Sequence, residues 1–313
     1  MQLPLLPGAG FTAHKSALDA SVNWDRPAEV GRLEARYVRR CEDYFVAYLS
    51  SQTGCAQACR MCHLTATGQT HLRDTTFNEF LEQAETVLAH YRREGKPARA
   101  VHFNLMARGE PLASKVIATR GDELLGELSR LAVGSGLRPR HLISTIYPKA
   151  FGDRALEDVF VVHQPEIHYS IYSVSERFRR RWLPKAHPAE VALDRLAAWQ
   201  RHSLKLVVLH HAYIAGENDT EGDVHAICDA LEERKLMAHI NVVRYNPFDP
   251  ARHGTEPPEA VVERNAAIYR ERLPGARVVV IARVGFDVAA SCGMFLGPDG
   301  RDTSATGSTS HSG

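Results

Sequence analysis

The sequence predicts an α/β protein, an incomplete TIM-like barrel built on a mostly parallel sheet. Apolar runs typical of strands alternate with amphipathic segments of ten or more residues, which is the pattern of βαβ units. Six or seven such strands suit an open (β/α)6 barrel, and 313 residues with 44% hydrophobic content can fill one large core. Polar residues also follow successive strands, where barrel enzymes place their sites.

Each element has its own signal. The β-like runs 33–39 and 44–49 predict a hairpin, and Thr76 with Glu79 forms a capping box before a helix with an apolar face. The further predicted strands are 100–105, 141–145, 166–171, 204–214, 239–245 and 276–283. The further predicted helices are 122–133, 188–201, 219–234 and 259–272.

The chain divides into three predicted parts. Residues 1–32 are expected to be an N-terminal extension on the surface, in which Asp25 and Pro27 suggest a short helix. Residues 33–297 form the barrel domain. Residues 298–313 are rich in Ser and Gly and are expected to be a disordered tail.

Charge and cysteine usage narrow the class of protein. The net charge is 38 minus 37, or +1, so any nucleic-acid contact depends on local clusters of cations. Such clusters occur at 177–185 and at Arg138 with Arg140, both expected near the mouth of the barrel; a solvated helix face is the alternative. Six cysteines without a disulfide pattern, no signal sequence and no long apolar run predict a cytoplasmic protein with no membrane contact, expected to be a monomer.

Three cysteines carry the strongest chemical signal. Cys55, Cys59 and Cys62 have the spacing C-x3-C-x2-C directly after a predicted strand, so their thiolates can converge on one centre. Soft thiolates select zinc, copper(I) or iron-sulfur clusters, and a tight loop with no nearby fourth cysteine suits a 4Fe-4S cubane with one open iron. The alternative is a structural zinc site completed by His63.

The surrounding Ser-Ser-Gln-x-Gly-Cys resembles the RlmN/Cfr group of radical S-adenosylmethionine (SAM) enzymes, which methylate adenine carbons in RNA. Further motifs follow in the order of that family between residues 33 and 297: Gly-Glu-Pro-Leu at 109–112, Ser144-Thr145, Ser170, Asn-Pro-Phe at 246–248 and Ser-Cys-Gly at 291–293. The resemblance implies the radical SAM barrel, a 4Fe-4S cluster, SAM as cofactor, an RNA substrate and an electron donor such as flavodoxin or ferredoxin.

The resemblance also implies roles for single residues. Glu110, between Gly109 and Pro111, would hold the ammonium group of SAM through a charge-assisted hydrogen bond. Ser144, Ser170 and Asn246 would bind its ribose and carboxylate, with local capping as the alternative for each. Cys292 matches the cysteine that first receives a methyl group; the 5′-deoxyadenosyl radical then takes hydrogen from that methyl, and the resulting carbon radical adds to adenine. Taken alone, Cys292 would be a small buried residue.

The chain departs from the family at several positions. Tyr48 stands seven positions before Cys55, where the family has a second cysteine that acts as a base, and an ordinary tyrosine is a poor base at neutral pH. Cys41 or a carboxylate would have to replace it. Arg108 and Val284 stand where the family has an apolar residue and an arginine. The portion before the cysteines is shorter than in the family, where it carries an RNA-binding domain.

Two other functions stay open at this point. The first is a radical SAM enzyme that acts on a nucleotide, small molecule or peptide without a methyl-cysteine. The second is a zinc-dependent RNA-binding module. Outside these motifs, His210, His211 and Cys228 are predicted to belong to the core.

Overall fold

The computed structural model describes residues 10–300, in which ten strands form one sheet in chain order. The strands are β1 Thr12–Lys15, β2 Val22–Pro27, β3 Arg32–Val38, β4 Tyr44–Leu49, β5 Ala100–Leu105, β6 Arg138–Thr145, β7 Glu166–Ser170, β8 Val207–His211, β9 Ala238–Val243 and β10 Val278–Ile281. The first four strands pair antiparallel, and β4 to β10 run parallel. The order is linear, so the sheet is an open barrel.

Helices connect each pair of neighbouring parallel strands. They are α1 His63–Ala66, α2 Phe77–Glu94, α3 Lys115–Gly134, α4 Leu156–Val159, α5 Glu176–Trp182, α6 Ala189–Ser203, α7 Glu221–Glu233, α8 Pro250–His253 and α9 Glu259–Arg272. The capping box predicted at Thr76 is present, since Thr76 Oγ1 accepts from Glu79 N and the Glu79 carboxylate accepts from Thr76 N. The predicted α/β class and the incomplete (β/α)6 arrangement are confirmed.

The prediction of a short helix that begins at Asp25 and Pro27 is wrong. Val22–Pro27 is a strand rather than the start of a helix, and β1 and β2 extend the sheet beyond β3. Val22, Asn23, Trp24 and Asp25 are all buried, so the strand lacks the apolar and polar alternation that reveals a half-buried strand. Asp25 is satisfied there by His14 and Arg32. Residues 1–9 and the predicted tail beyond Gly300 lie outside the described residues.

The two faces of the parallel sheet differ in character. Phe45, Ala47 and Leu49 of β4 pack in the main core with the helices, whereas Val46 and Tyr48 point to the interior of the barrel. That interior also holds buried polar side chains from β5, β7 and β8: His102, Asn104, His168 and His210. Barrel interiors are usually filled by branched apolar residues, so these polar groups need a separate explanation. Among the described helices, none has both the length and the apolar composition needed to cross a membrane.

Candidate active site

A cavity opens at the carboxyl ends of the parallel strands. Most of the predicted site residues line it: Cys55, Cys59, Cys62, Gly109, Glu110, Ser144, Ser170 and Cys292. The strand ends therefore bring these distant motifs together, as expected for a barrel enzyme. Tyr48, Pro111 and Asn246 do not belong to the lining of this cavity.

The loop that carries the three cysteines is fixed by backbone contacts. Cys55 N donates to Gln69 O at 3.1 Å, and Arg60 N donates to Trp182 O at 2.9 Å. The Lys185 ammonium donates to Ala56 O at 2.6 Å, so a cation from another element also holds the loop. Only glycine fits at position 54, because a Cβ there would lie 2.5 Å from His71 O. The loop thus presents its thiols from a rigid frame.

The thiols suit an iron-sulfur cluster. Burial raises the pKa of Cys55 to about 12 and that of Cys59 well above its ordinary value, so they stay protonated until a metal displaces the protons. Within residues 10–300, no three His, Cys, Asp or Glu side chains meet at the spacing of a single metal ion. A cubane instead binds each thiolate through a different iron. His63 lies off the cavity wall, where its Nε2 donates to Asn246 O at 3.1 Å.

Glu110 is a buried carboxylate on the cavity wall. Its Oε1 accepts from Thr145 Oγ1 at 2.6 Å and from Leu112 N at 3.1 Å, and its Oε2 accepts from Ile146 N at 3.0 Å. Burial nevertheless raises the pKa of Glu110 to about 7, and within the described chain no Lys or Arg pairs with it. A buried carboxylate without a cation favours a cationic ligand. The ammonium group of SAM fits this position.

Gly109 and Pro111 shape the backbone around Glu110. Gly109 has φ +95°, and a Cβ there would lie 2.7 Å from both Gln52 Cβ and Gln52 N. Pro111 begins a 3₁₀ turn, Pro111–Ala113, for which Glu110 is the N-cap. Glycine therefore permits the tight approach to the cysteine loop, and proline directs the chain away from the wall.

The three small polar residues predicted to bind SAM differ in position. Ser144 lines the cavity and donates to Asn104 Oδ1 at 2.9 Å, and Ser170 lines it from the next strand. Asn246 is buried behind the wall, where its Nδ2 donates to Cys292 O at 2.9 Å and its Oδ1 accepts from Arg283 Nε at 2.8 Å. Its geometry indicates that it positions the Cys292 backbone.

Cys292 belongs to residues 291–296, the C-terminal strap, which a buried charge network clamps to the barrel. Glu34 Oε1 accepts from Leu296 N at 3.1 Å and from Arg108 Nε at 2.7 Å. Arg108 Nη2 donates to Leu296 O at 2.7 Å, and Arg36 Nη2 donates to Met294 O at 2.8 Å. Burial opposes ionisation of Glu34, but the two arginines outweigh it and lower its pKa. Arg108, a departure from the family, thus holds the strap.

Tyr48 and Cys41 are not placed to act as a base in the cavity. Tyr48 packs among Val38, Val46 and Ala107, and its hydroxyl accepts from Arg40 Nη1 at 3.2 Å. Cys41 is exposed in the turn before β4, at the end of that strand opposite the cysteine loop. The suggestion that Cys41 replaces the missing base is therefore wrong on geometry.

The basic clusters have a different role from the one expected. Arg138 and Arg140 begin β6, at the end opposite the cavity, so the prediction that they lie near the mouth is wrong. In the run 177–185, Arg179 is buried and donates to backbone carbonyls, Lys185 holds the cysteine loop, and Arg180 and Arg181 pair with Glu176 and Glu217. Most of this run stabilises local structure.

The sequence analysis assigns no site role to two residues that the structure places in the site. Thr145 supports Glu110 from the residue after Ser144, a role that no spacing indicates. His210 was grouped with His211 in the core, but neighbouring residues of a strand face opposite sides. His211 is a satisfied core group, bonded to Tyr269 Oη at 2.8 Å, whereas His210 lines the cavity. Cys228 is buried in α7, as predicted.

The chain is similar to several RNA methyltransferases, although no protein-family model matches it. A probable RNA methyltransferase of Rhodopseudomonas palustris is 29% identical over 269 residues, 84% of this chain and 67% of that protein. A probable dual-specificity RNA methyltransferase RlmN of Shouchella clausii is 24% identical over 268 residues, 84% and 72% of the two chains. The ribosomal RNA large subunit methyltransferase Cfr of Lachnoclostridium phytofermentans is 26% identical over 258 residues, 80% and 69% of the two chains.

Solved structures give the same assignment of fold. A radical SAM methyltransferase from Sphaerobacter thermophilus superposes with a TM-score of 0.73 at 21% identity, covering 91% of this chain and 81% of that chain. The chain spans about two thirds of the length of the curated relatives. The curated relatives are named RNA methyltransferases and the solved structure is named a radical SAM methyltransferase, which agrees with the expected enzyme class. The chain is similar in sequence to RNA methyltransferases of the RlmN/Cfr group and in fold to a radical SAM methyltransferase.

Proposed function

We propose that this protein methylates an sp2 carbon of adenine in RNA and that Cys292 carries the methyl group. The observation that supports the proposal most is that Cys292, the three motif cysteines and Glu110 all line the same cavity. The relatives that are named RNA methyltransferases support RNA as the substrate.

In this proposal, separate residues bind the cluster, the ammonium group of SAM, and its ribose and carboxylate. Cys55, Cys59 and Cys62 would hold the 4Fe-4S cluster, which when bound supplies the electron for reductive cleavage of SAM. Glu110 binds the ammonium group of SAM, with Thr145 fixing its carboxylate. Ser144 and Ser170 offer hydroxyls to the ribose and carboxylate.

The remaining wall keeps water from the reacting atoms. Met61, Leu183, Ala212 and Val243 contribute apolar surface to the cavity. The clamp on the C-terminal strap holds Cys292 at this wall, so the thiol does not have to be ordered for each turnover. A dry, preformed wall suits radical chemistry because it limits side reactions.

An adenine in a stacked helix cannot enter this cavity, so the target is a loop or a flipped base. Beside the cysteine loop, Arg60, Arg181, Arg252 and His253 line a shallow surface depression. Arg60 and Arg181 stack against Trp182, at 5.4 and 5.6 Å from its ring centroid. Arg60 offers a phosphate contact next to the mouth, whereas Arg181 is paired with Glu217. A flavodoxin or ferredoxin as electron donor and a monomeric state belong to the same proposal.

The test is methyl transfer to RNA by the anaerobically reconstituted enzyme. Unmodified transcripts of ribosomal and transfer RNA are incubated with SAM that carries a deuterated methyl group, and the nucleosides are analysed by mass spectrometry. We expect labelled methyladenosine with the native chain and none with Cys292→Ser or Cys59→Ala. Cys41→Ser, in an exposed turn, is the matched control and should keep full activity. Labelled adenosine produced by Cys292→Ser would contradict the proposed carrier.

The presence of Tyr48 in place of the family's second cysteine favours a second candidate function: a radical SAM enzyme that acts on another substrate without a methyl-cysteine. A tyrosine packed among apolar residues does not reproduce the family's second cysteine. In the same experiment this candidate predicts SAM cleavage with no label in RNA and none on Cys292.

A further inference from the structure

A chain of three ionisable side chains runs through the interior of the barrel. His168 Nε2 lies 2.7 Å from Glu166 Oε1, and His168 Nδ1 lies 3.0 Å from His210 Nε2. Glu166 also accepts from Arg140 Nη2 at 2.6 Å. Glu166 and His168 are two residues apart in β7, so they lie on the same face of the strand, and His210 comes from the neighbouring strand β8. The register of two parallel strands therefore places these groups in line.

The chain connects the two ends of the barrel. His210 lines the cavity that contains Cys292 and Glu110. Glu166 and Arg140 line a second cavity at the opposite end of the strands. His168 and His210 occupy buried interior positions that packing alone would fill with apolar residues. Polar residues at positions where packing favours apolar ones are expected mainly at functional sites.

Hydrogen-bond chemistry fixes the direction of the chain. The Glu166 carboxylate only accepts, so His168 carries its proton on Nε2 and accepts at Nδ1 when neutral. His210 then donates from Nε2 to His168 Nδ1, the shorter of its two contacts at 3.0 Å; Asn241 Nδ2, which can only donate, lies 3.2 Å from the same nitrogen and would require it to accept. In the described chain, His210 Nδ1 has no hydrogen-bond partner. His210 Nδ1 is thus the nitrogen that can accept a proton from a substrate in the cavity.

We propose that His210 is the proton acceptor of the methylation reaction, with His168 and Glu166 as positioning residues. The inference rests on the proposed function, because replacing a ring C–H by C–CH₃ requires that the hydrogen leaves. The carbon radical on the Cys292 sulfur has by then bonded to that ring carbon. The proton goes to His210 Nδ1 and the electron pair of the C–H bond restores the aromatic ring. The bond between the Cys292 sulfur and the transferred carbon then breaks and releases the Cys292 thiolate, and one electron from the flavodoxin- or ferredoxin-type donor and one proton complete the methyl group. His210 passes its Nε2 proton to His168 Nδ1. His210 is then neutral again, and His168 is an imidazolium beside the Glu166 carboxylate.

The surrounding charges suit this transfer. Burial lowers the pKa of His210 well below its ordinary value, so it is neutral and able to accept. Burial opposes ionisation of Glu166, but the hydrogen bond and charge of His168, together with Arg140, lower its pKa to about 2, so it remains a carboxylate. The other titratable groups that act on these residues are Arg40, His102, Lys205 and His239. The carboxylate is the anion that directly contacts the proposed imidazolium.

The experiment compares His210→Gln with the native chain in single turnovers, using the reconstituted enzyme, SAM and the unmodified RNA transcripts. Gln keeps a donor toward His168 but cannot accept a proton. We expect methylated adenosine to form roughly 100-fold or more slowly, while SAM cleavage and methylation of Cys292 are unchanged. His90→Gln is the matched control, since His90 lies on α2 and packs against Trp24 and Tyr37, outside the chain. Imidazole should restore part of the activity of His210→Ala.

Glu166→Gln provides a readout that a purely structural role would not change. Without the carboxylate the imidazolium is less stable, so the acidic limb of the pH–rate profile should move to lower pH while the maximal rate falls. In parallel, ¹⁵N NMR of the histidine rings should show that His210 Nδ1 is unprotonated and that its signals respond to Glu166→Gln. The inference would be overturned if His210→Gln methylated RNA at the native rate, or if the histidine NMR signals were unchanged by Glu166→Gln. If the native chain methylates no RNA, the proposed function fails and the inference about His210 fails with it.

Discussion

At the scale of single residues, Glu110 has the property that most directly indicates a ligand. Three hydrogen bonds support its carboxylate, yet burial still raises its pKa to about 7. The folded protein without ligand therefore carries a carboxyl group that is half protonated near neutral pH. An ammonium group in the cavity would restore the carboxylate through a charge-assisted hydrogen bond.

This raised pKa predicts a specific dependence of stability on pH. Between pH 4.5 and 7 the folded chain keeps a proton that the unfolded chain releases, so the free energy of unfolding should fall as pH rises through this window. The difference corresponds to about 3 kcal/mol for the ligand-free protein. Glu110→Gln should remove this component, as measured by urea denaturation at several pH values.

Glu42→Gln is the matched control for that measurement, because Glu42 is exposed in the β3–β4 turn and should leave the slope unchanged. A slope that survives in Glu110→Gln would contradict the assignment. The same variant should bind SAM roughly 10 to 100 times more weakly than the native holoenzyme.

At the scale of elements, the C-terminal strap depends on buried charges. Arg108 and Glu34 are both fully buried, and Arg108 contacts Leu296 O and Gln69 Oε1 as well. Arg108→Met should lower the free energy of unfolding by roughly 3–5 kcal/mol, since it leaves the Glu34 charge without its main partner. Hydrogen exchange should then increase within residues 291–296.

Arg180→Met is the control for this prediction, because the Arg180–Glu176 pair is exposed and contributes about 0.5 kcal/mol or less. If Arg108→Met and Arg180→Met have equal effects, the strap is not held by the buried network.

The turn that carries Glu110 gives a second prediction for an element. Gly109→Ala combines a positive φ with a Cβ at 2.7 Å from Gln52, so we expect a loss of roughly 1–3 kcal/mol and weaker SAM binding. Gly134→Ala, at the end of α3 with open space around it, should be neutral or slightly stabilising. Equal thermal stability of the two variants would contradict the argument. Differential scanning calorimetry measures both.

Sequence patterns predicted elements well where one periodicity dominated. β5 has the predicted bounds, and α9 matches its predicted range, because both are apolar patterns between clear breaks. β1 and β2 were missed because polar residues such as Asn23 and Asp25 are buried beside Trp24. The order of the motifs predicted that the cysteines and Glu110 belong to one site. It could not show that Asn246 lies behind the wall, because that depends on how the strap packs.

At the scale of the whole molecule, the open sheet explains why the site forms where it does. Seven parallel strands, β4 to β10, direct their carboxyl ends to one cavity, and the C-terminal strap is held beside it by Glu34 and Arg36 of β3. β1 and β2 continue the same sheet, so the residues before position 33 that the structure describes share its framework. The division into an extension and a domain at residue 33 stays a prediction.

The central claim is that one cavity unites a cluster-binding loop, a SAM-binding carboxylate and a methyl-carrying cysteine. The most direct test is peptide mass spectrometry of Cys292 after the reconstituted protein has been incubated anaerobically with SAM that carries a labelled methyl group. We predict one labelled methyl group on the peptide that contains Cys292, and none when Cys55, Cys59 or Cys62 is replaced by alanine. An unmodified Cys292 in a protein that nevertheless methylates RNA would contradict the account.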